Sequence, residues 1–191
     1  ATRMVSQNVI ITGGLGAIGM ATARRFASTG SSILLVDRRE DDGAAKAELL
    51  ALGAAQVVNI AADIADEKAV ATVVETALQA FGALDVIANI AGAMIFKPVA
   101  ELTASDWRAM LNINLVGAAL LTGHALRVME GGGAVINVAS IHARRTTPLV
   151  ASYAAAKAGM LSLTRSASIE GKPLGVRVNA IAPGGIESPM L

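Results

Sequence analysis

Short, nearly continuous apolar runs alternate with longer amphipathic stretches along the chain. Val9–Thr12, Ile33–Asp37, Gln56–Ile60, Val86–Ala88, Ala134–Ala139 and Val176–Ala180 form the short runs. Runs apolar on both faces predict strands of a parallel sheet covered on both sides. Between them, Ile18–Ser28, Gly43–Leu52, Glu67–Phe81, Ala104–Met129 and Tyr153–Ser168 predict helices. Thr103 with Asp106 has the spacing of a capping box opening the fourth helix. Gly30, Gly53 and Gly82 stand where the first three helices should stop. The alternation predicts a doubly wound α/β sheet in one domain, residues 1–191, with no linker or repeat.

Composition narrows the picture. Hydrophobic residues make up 53% and charged residues 16% of 191, which excludes disorder and suggests that some outer helix faces are also buried in an oligomer. The net charge is +1, with no basic run beyond three arginine pairs, so nothing points to nucleic acid. There is no cysteine, and two isolated histidines, His124 and His142, make no metal site. No uncharged apolar stretch reaches the roughly 18 residues of a membrane span, and no signal peptide is visible. A soluble cytoplasmic protein is the expectation.

The first strand runs into Thr12-Gly13-Gly14-Leu15-Gly16-Ala17-Ile18-Gly19 and then a helix. Glycines there let the backbone turn sharply and approach a pyrophosphate, and the helix start offers free N–H groups. Asp37 ends the second strand, where a carboxylate would accept hydrogen bonds from an adenosine ribose and repel a 2′-phosphate. It favours NAD over NADP, although Arg38 and Arg39 beside it could pair with a phosphate.

The only tyrosine, Tyr153, lies four residues before Lys157, so the two share a helix face. An ammonium beside a phenol is expected to lower its pKa from about 10 and make it a proton carrier near neutral pH. The spacing is short enough to arise by chance; its neighbours give it weight. Ser140 closes the fifth apolar run.

The glycine turn, Ser140, Tyr153 and Lys157 together resemble the short-chain dehydrogenase/reductase family. Asn89-Ile-Ala-Gly92 resembles its Asn-Asn-Ala-Gly motif, and Trp107 to Asn114-Leu-Val-Gly117 the segment with its catalytic asparagine. Asn137-Val-Ala-Ser140 is similar to the strand end with its serine, and Asn179 to Pro183-Gly184 to its Asn-x-x-x-Pro-Gly. The sequence departs from the pattern at Ala17, Ile90 and Ser188, which replace a glycine, an asparagine and a threonine.

The resemblance implies a Rossmann fold with strand order 3-2-1-4-5-6, helices on both faces, and NAD(H)-dependent interconversion of a secondary alcohol and a ketone. It assigns proton transfer to Tyr153, pKa control and a ribose contact to Lys157, the substrate oxygen to Ser140, and a relay water to Asn114. Cofactor contacts would come from Gly13, Leu15, Gly16, Ala17, Ile18, Gly19, Asp37, Arg38, Asn89, Ala91, Gly92, Pro183, Gly184, Ile186 and Ser188. Asp63, with Ile64, would meet the adenine edge or cap a helix. The substrate pocket would be lined by Met94, Ser140, His142, Tyr153 and Gly185, with His142 either touching substrate or solvated in a loop.

The family dimerises or tetramerises through helices like Ala104–Met129 and Tyr153–Ser168, and continues past the position of Leu191 into a lid and a seventh strand that this chain is expected to lack. Two other readings stand beside this one: an NADP-dependent 3-oxoacyl-thioester reductase, and a silent dinucleotide-binding sensor or scaffold.

Overall fold

A computed structural model describes residues 5–129 and 131–185. Among them six strands form one parallel sheet in the order β3-β2-β1-β4-β5-β6. These are β1 (Asn8–Thr12), β2 (Ser32–Asp37), β3 (Gln56–Ala61), β4 (Val86–Asn89), β5 (Gly133–Val138) and β6 (Val176–Ile181). Every strand end falls within one residue of its predicted place. Alternation splits the apolar residues between two layers. Val9, Ile11, Ile33 and Leu35 face α1 (Ala17–Ala27) and α2 (Ala44–Ala51). Ile10, Leu34, Val36, Ile87 and Val135 face α3 (Glu67–Phe81), α5 (Gly117–Val128) and α6 (Ala151–Gly171). Each such fully buried side chain contributes about 1.5–3 kcal/mol.

β6 departs from the expectation of two covered faces. Val176 and Val178 are buried, whereas Arg177, Asn179 and Ile181 are exposed. The helix stops are as predicted: Gly30, Gly53 and Gly82 take positive φ of 74°, 105° and 79°. The Thr103–Asp106 capping box forms and opens α4 (Ala104–Leu111).

The predicted single helix Ala104–Met129 is in fact interrupted. Asn112–Val116 is a π-turn, with the Gly117 N–H bonding back to the Asn112 carbonyl. By length and apolarity alone Ala104–Val128 could cross a membrane. Ala118, Leu121 and Ala125 pack into the core, while Val116 is exposed, so one face of the helix is buried and another is not.

Candidate functional site

The site gathers at the carboxyl ends of β1, β2, β4 and β5, where such sheets bind ligands. β1 ends in Thr12, whose buried hydroxyl accepts the N–H groups of Ile90 (3.0 Å) and Ala91 (3.1 Å). That bond ties the glycine turn to the end of β4. The turn itself is closed by Gly16 N–H bonding to the Gly13 carbonyl, 3.0 Å. Gly13 has φ 64°, a left-handed conformation that glycine adopts freely. A Cβ on Gly19 would lie 2.1 Å from the Gly13 oxygen. With Gly19, Ala23 and Ala27 buried, this small-residue face lets α1 sit close to the sheet. No side chain caps α1, so its first N–H groups are available to an anion. Ala17 is exposed, so the methyl that replaces a glycine points away from the packed turn. Leu15 and Ile18 flank the turn.

Asp37 stands at the end of β2 with its side chain only 13% exposed. Its Oδ2 accepts the Leu15 N–H at 3.2 Å and Arg39 Nη2 at 3.3 Å. Its Oδ1 accepts the Arg39 N–H and Nε, each at 3.1 Å. Burial pushes the Asp37 pKa up, but the Arg39 side chain and the Arg39 and Leu15 N–H groups more than offset this and hold it below the usual value. Of the two arginines beside it, Arg39 makes the contact; Arg38 is exposed. A cavity here is lined by Leu15, Asp37, Arg39, Asp41, Asn59 and Ile60. Asp41 accepts the Asn59 amide.

Neither Asp63 nor Ile64 is among the residues lining that cavity. The exposed Asp63 carboxylate accepts the Ala65 N–H at 3.0 Å in the turn before α3, and Asp66 caps that helix. Ile64 is buried against Gly117, where a Cβ would lie 2.7 Å from the Ile64 oxygen.

The second part of the site is a cavity lined by Ile18, Ile90, Gly92, Met94, Val138 to His142, Tyr153, Lys157 and Pro183 to Gly185. It brings Ser140, Tyr153 and Lys157 together beside the glycine turn. Ser140 lies two residues past the end of β5 and caps a short 3-10 turn, its Oγ accepting the His142 N–H at 3.2 Å. Ile141 N–H bonds to the Pro183 carbonyl at 2.9 Å, which seats Pro183-Gly184-Gly185 on the cavity wall. His142 is half-buried rather than a solvated loop residue; its ring meets the Tyr153 ring edge-on, centroids 6.0 Å apart.

Two predicted features take a different form. The expected lowering of the Tyr153 pKa is reversed: burial pushes the phenol up, and Ser140 only partly opposes it. Lys157 is buried as well. Its Nζ donates to the Val138 carbonyl at 2.8 Å and stands 5.6 Å from the phenol ring centre. Burial pulls the Lys157 pKa down to about 8.

Asn114 lies in the π-turn, fully buried, with its amide spent on backbone. Nδ2 donates to the carbonyls of Ala93 (2.8 Å) and Met110 (3.0 Å), and Oδ1 accepts the Ala93 N–H at 3.2 Å. It therefore fixes the Gly92–Ala93 segment against the Lys157 ammonium. Asn89, buried at the end of β4, donates to Asn137 Oδ1 at 2.8 Å, and Asn137 donates to Thr164 Oγ1 on α6 at 2.9 Å. Ile186 and Ser188 lie outside the described residues.

Sequence reading passed over Thr12, Ile90, Val138 and Asn59. The signal for Thr12 was present, a hydroxyl ending an otherwise apolar strand before glycines. Ile90 was visible only as a departure from a motif.

Comparison with known proteins bears on this arrangement. The family model for short chain dehydrogenase matches residues 7–191. A cis-4-hydroxycyclohexanecarboxylate dehydrogenase of Sinomonas cyclohexanicum is 39% identical, over 95% of this chain and 74% of its own length. A levodione reductase of Leifsonia aquatica is 38% identical, over 100% and 73%. A crystal structure of levodione reductase superposes with a TM-score of 0.92 at 36% identity, covering 98% of this chain and 75% of that one. The chain thus spans about three quarters of the length of these relatives.

Proposed function

This chain belongs to the short-chain dehydrogenase family, an NAD(P)-dependent oxidoreductase family, and from that premise we propose that it interconverts a secondary alcohol and a ketone with NAD(H). The observation that carries this reading is the shared cavity of Ser140, Tyr153 and Lys157 next to Gly92 and Ile18. The glycine turn fits a dinucleotide. Its backbone leaves no room for side chains at Gly13 or Gly19, and the start of α1 has no side-chain cap. When bound, the nicotinamide ring supplies or accepts the hydride.

The residues of the chain handle the rest. Tyr153, with its raised pKa, keeps its proton in the resting protein. It is set to donate to a ketone oxygen as an alcohol forms, and in the reverse direction it takes the alcohol proton. Ser140 receives the His142 N–H on its oxygen, leaving its own O–H free to donate to the substrate oxygen and stabilise developing negative charge. Lys157, anchored by Val138, holds a donor group 5.6 Å from the centre of the phenol ring, where it would hold the ribose of a bound cofactor. Asn114 holds the loop that backs it. Asp37 supports NAD over NADP, because a 2′-phosphate would meet its charge.

The cavity lining is mostly apolar, and one relative is named for a hydroxycyclohexane carboxylate. Both support alcohols on a saturated six-membered ring as the substrates to try first. Assembly into a dimer or tetramer belongs to the same reading. α5 and α6 present a hollow lined by Leu115, Val116, Leu120, Ser162 and Leu163, and Val116 is 37% exposed. The decisive experiment follows nicotinamide absorbance with purified protein, NAD or NADP, and a panel of cyclic secondary alcohols and ketones. Turnover with NAD supports the proposal. Dinucleotide binding without turnover on any of the panel would favour a silent sensor.

A further inference from the structure

Among the described residues, Leu149 is the one non-glycine residue with a positive φ, 72°. Leucine is strained in that left-handed conformation, which glycine adopts freely. Leu149 follows Pro148, and after a turn proline a positive φ ordinarily calls for glycine or asparagine. The Leu149 carbonyl accepts the Lys97 N–H at 2.7 Å, and Lys97 Nζ in turn pairs with Asp106 on α4 at 2.8 Å. The strained turn therefore joins two walls of the cavity that holds Ser140 and Tyr153. One wall is the segment after β4, with Met94; the other is the segment after β5, with Ile141 and His142. At this junction Leu149 is 45% exposed, and Phe96, the neighbour of Lys97, is 62% exposed. The core claims neither side chain in full, and strain kept for a half-exposed leucine points to a binding role.

The cavity has a volume of about 130 Å³, the size that takes a single six-membered ring. Any group that a substrate carries beyond its reacting ring must reach the rim. Resting on the dehydrogenase reading above, we propose that Leu149 is a specificity residue, whose side chain, held out on a strained backbone, grips an apolar substituent of the substrate. Phe96 supplies the facing surface. The substrate class is then a cyclic secondary alcohol or ketone with an aliphatic branch, in preference to the bare ring. A glycine at this position would make the same turn and the same bond to Lys97 without strain, but would leave the branch nothing to pack against.

The test compares kcat/KM for cyclohexanol and for a cyclohexanol bearing a butyl chain, with NAD or NADP, in wild type, Leu149→Ala and Leu149→Gly. Leu149→Ala keeps the strained backbone and removes the side chain; Leu149→Gly removes both. In both variants the preference for the branched alcohol should fall by about fivefold to tenfold, the worth of a half-buried leucine side chain. In thermal unfolding Leu149→Gly should melt about 2–4 °C above Leu149→Ala, because only glycine relieves the strain. An unchanged preference in Leu149→Ala, or a change in Leu149→Gly alone, assigns the position to the backbone and overturns the proposal while leaving the dehydrogenase reading standing. A Leu149→Gly variant that melts below Leu149→Ala removes the strain and overturns it as well. No turnover of either alcohol by wild type with either dinucleotide overturns the dehydrogenase reading and the proposal together.

Discussion

Asn114 fills the space that a side chain on Gly92 would need: a Cβ there would lie 2.7 Å from Asn114 Oδ1 and 3.4 Å from Lys157 Nζ. The glycine is therefore a requirement of two site residues on two different helices. Gly92→Ala should push the amide off the Ala93 backbone and shift the ammonium. Turnover should fall by about tenfold or more, since small misplacements near reacting groups are costly. Chemical denaturation should show a smaller relative change. Full activity in this variant would show that the Gly92 contact does not matter to catalysis.

Tyr153→Phe removes the proposed proton carrier and keeps the ring that His142 packs against. Turnover should drop by about two to four orders of magnitude while NAD binding persists in calorimetry. Retained activity would remove Tyr153 from the mechanism. In the intact protein, the raised phenol pKa should favour ketone reduction on the acid side and alcohol oxidation toward alkaline pH, which pH profiles of both directions measure.

Lys157 links pH to stability. Burial lowers its pKa from 10.5 to about 8 in the folded protein. Between these values the unfolded chain binds the proton and the folded one does not, so this contribution makes the fold more stable as pH rises. Below pH about 8 both states are protonated, and the cost of burying the charge is present in full. Against Lys157→Met, whose side chain does not titrate, wild type should gain about 2 kcal/mol between pH 8 and pH 10, measured by urea unfolding. A constant difference would mean that the ammonium is not desolvated.

Asp37→Ala should weaken NAD binding by about tenfold or more, the scale of hydrogen bonds to a charged acceptor, and shift preference toward NADP. Equal losses for both dinucleotides would refute the assignment of Asp37 as the discriminating group.

Ser162 lies exposed on α6 in the hollow shared with α5, whose lining mixes leucines with Glu67, His124 and Arg127. Ser162→Arg should leave the monomer fold intact and lower the assembly state seen by light scattering. A monomeric wild type would remove that face as an interface.

Much of the sheet was legible because strands such as Val9–Thr12 and Ile33–Asp37 are apolar on both faces, a pattern tied directly to two-sided burial. The glycine turn was legible because it sits between a strand and a helix. Three features were not. The π-turn at Asn112–Val116 leaves no mark in a sequence that reads as helical throughout. The spacing of Tyr153 and Lys157 gave their shared face but not their depth, and depth decides the sign of both pKa shifts. Adjacent arginines looked equivalent beside Asp37, and only the structure shows that Arg39 makes the contact with the carboxylate.

The π-turn also has a consequence for how the long helix tolerates change. It holds one residue more than an α-helical turn would, so the extra residue is absorbed within that turn and the segment after it keeps the phase of an uninterrupted helix. Deleting Ile113 would restore α-helical bonding and leave Leu121 and Ala125 in the core, disturbing chiefly the placement of Asn114 against Ala93. Deleting a residue from α5, where there is no such turn to absorb the change, would swing every side chain after it by about 100°, given 3.6 residues per turn. The phase of this helix, rather than its length, is what keeps catalytic wall and outer surface in step.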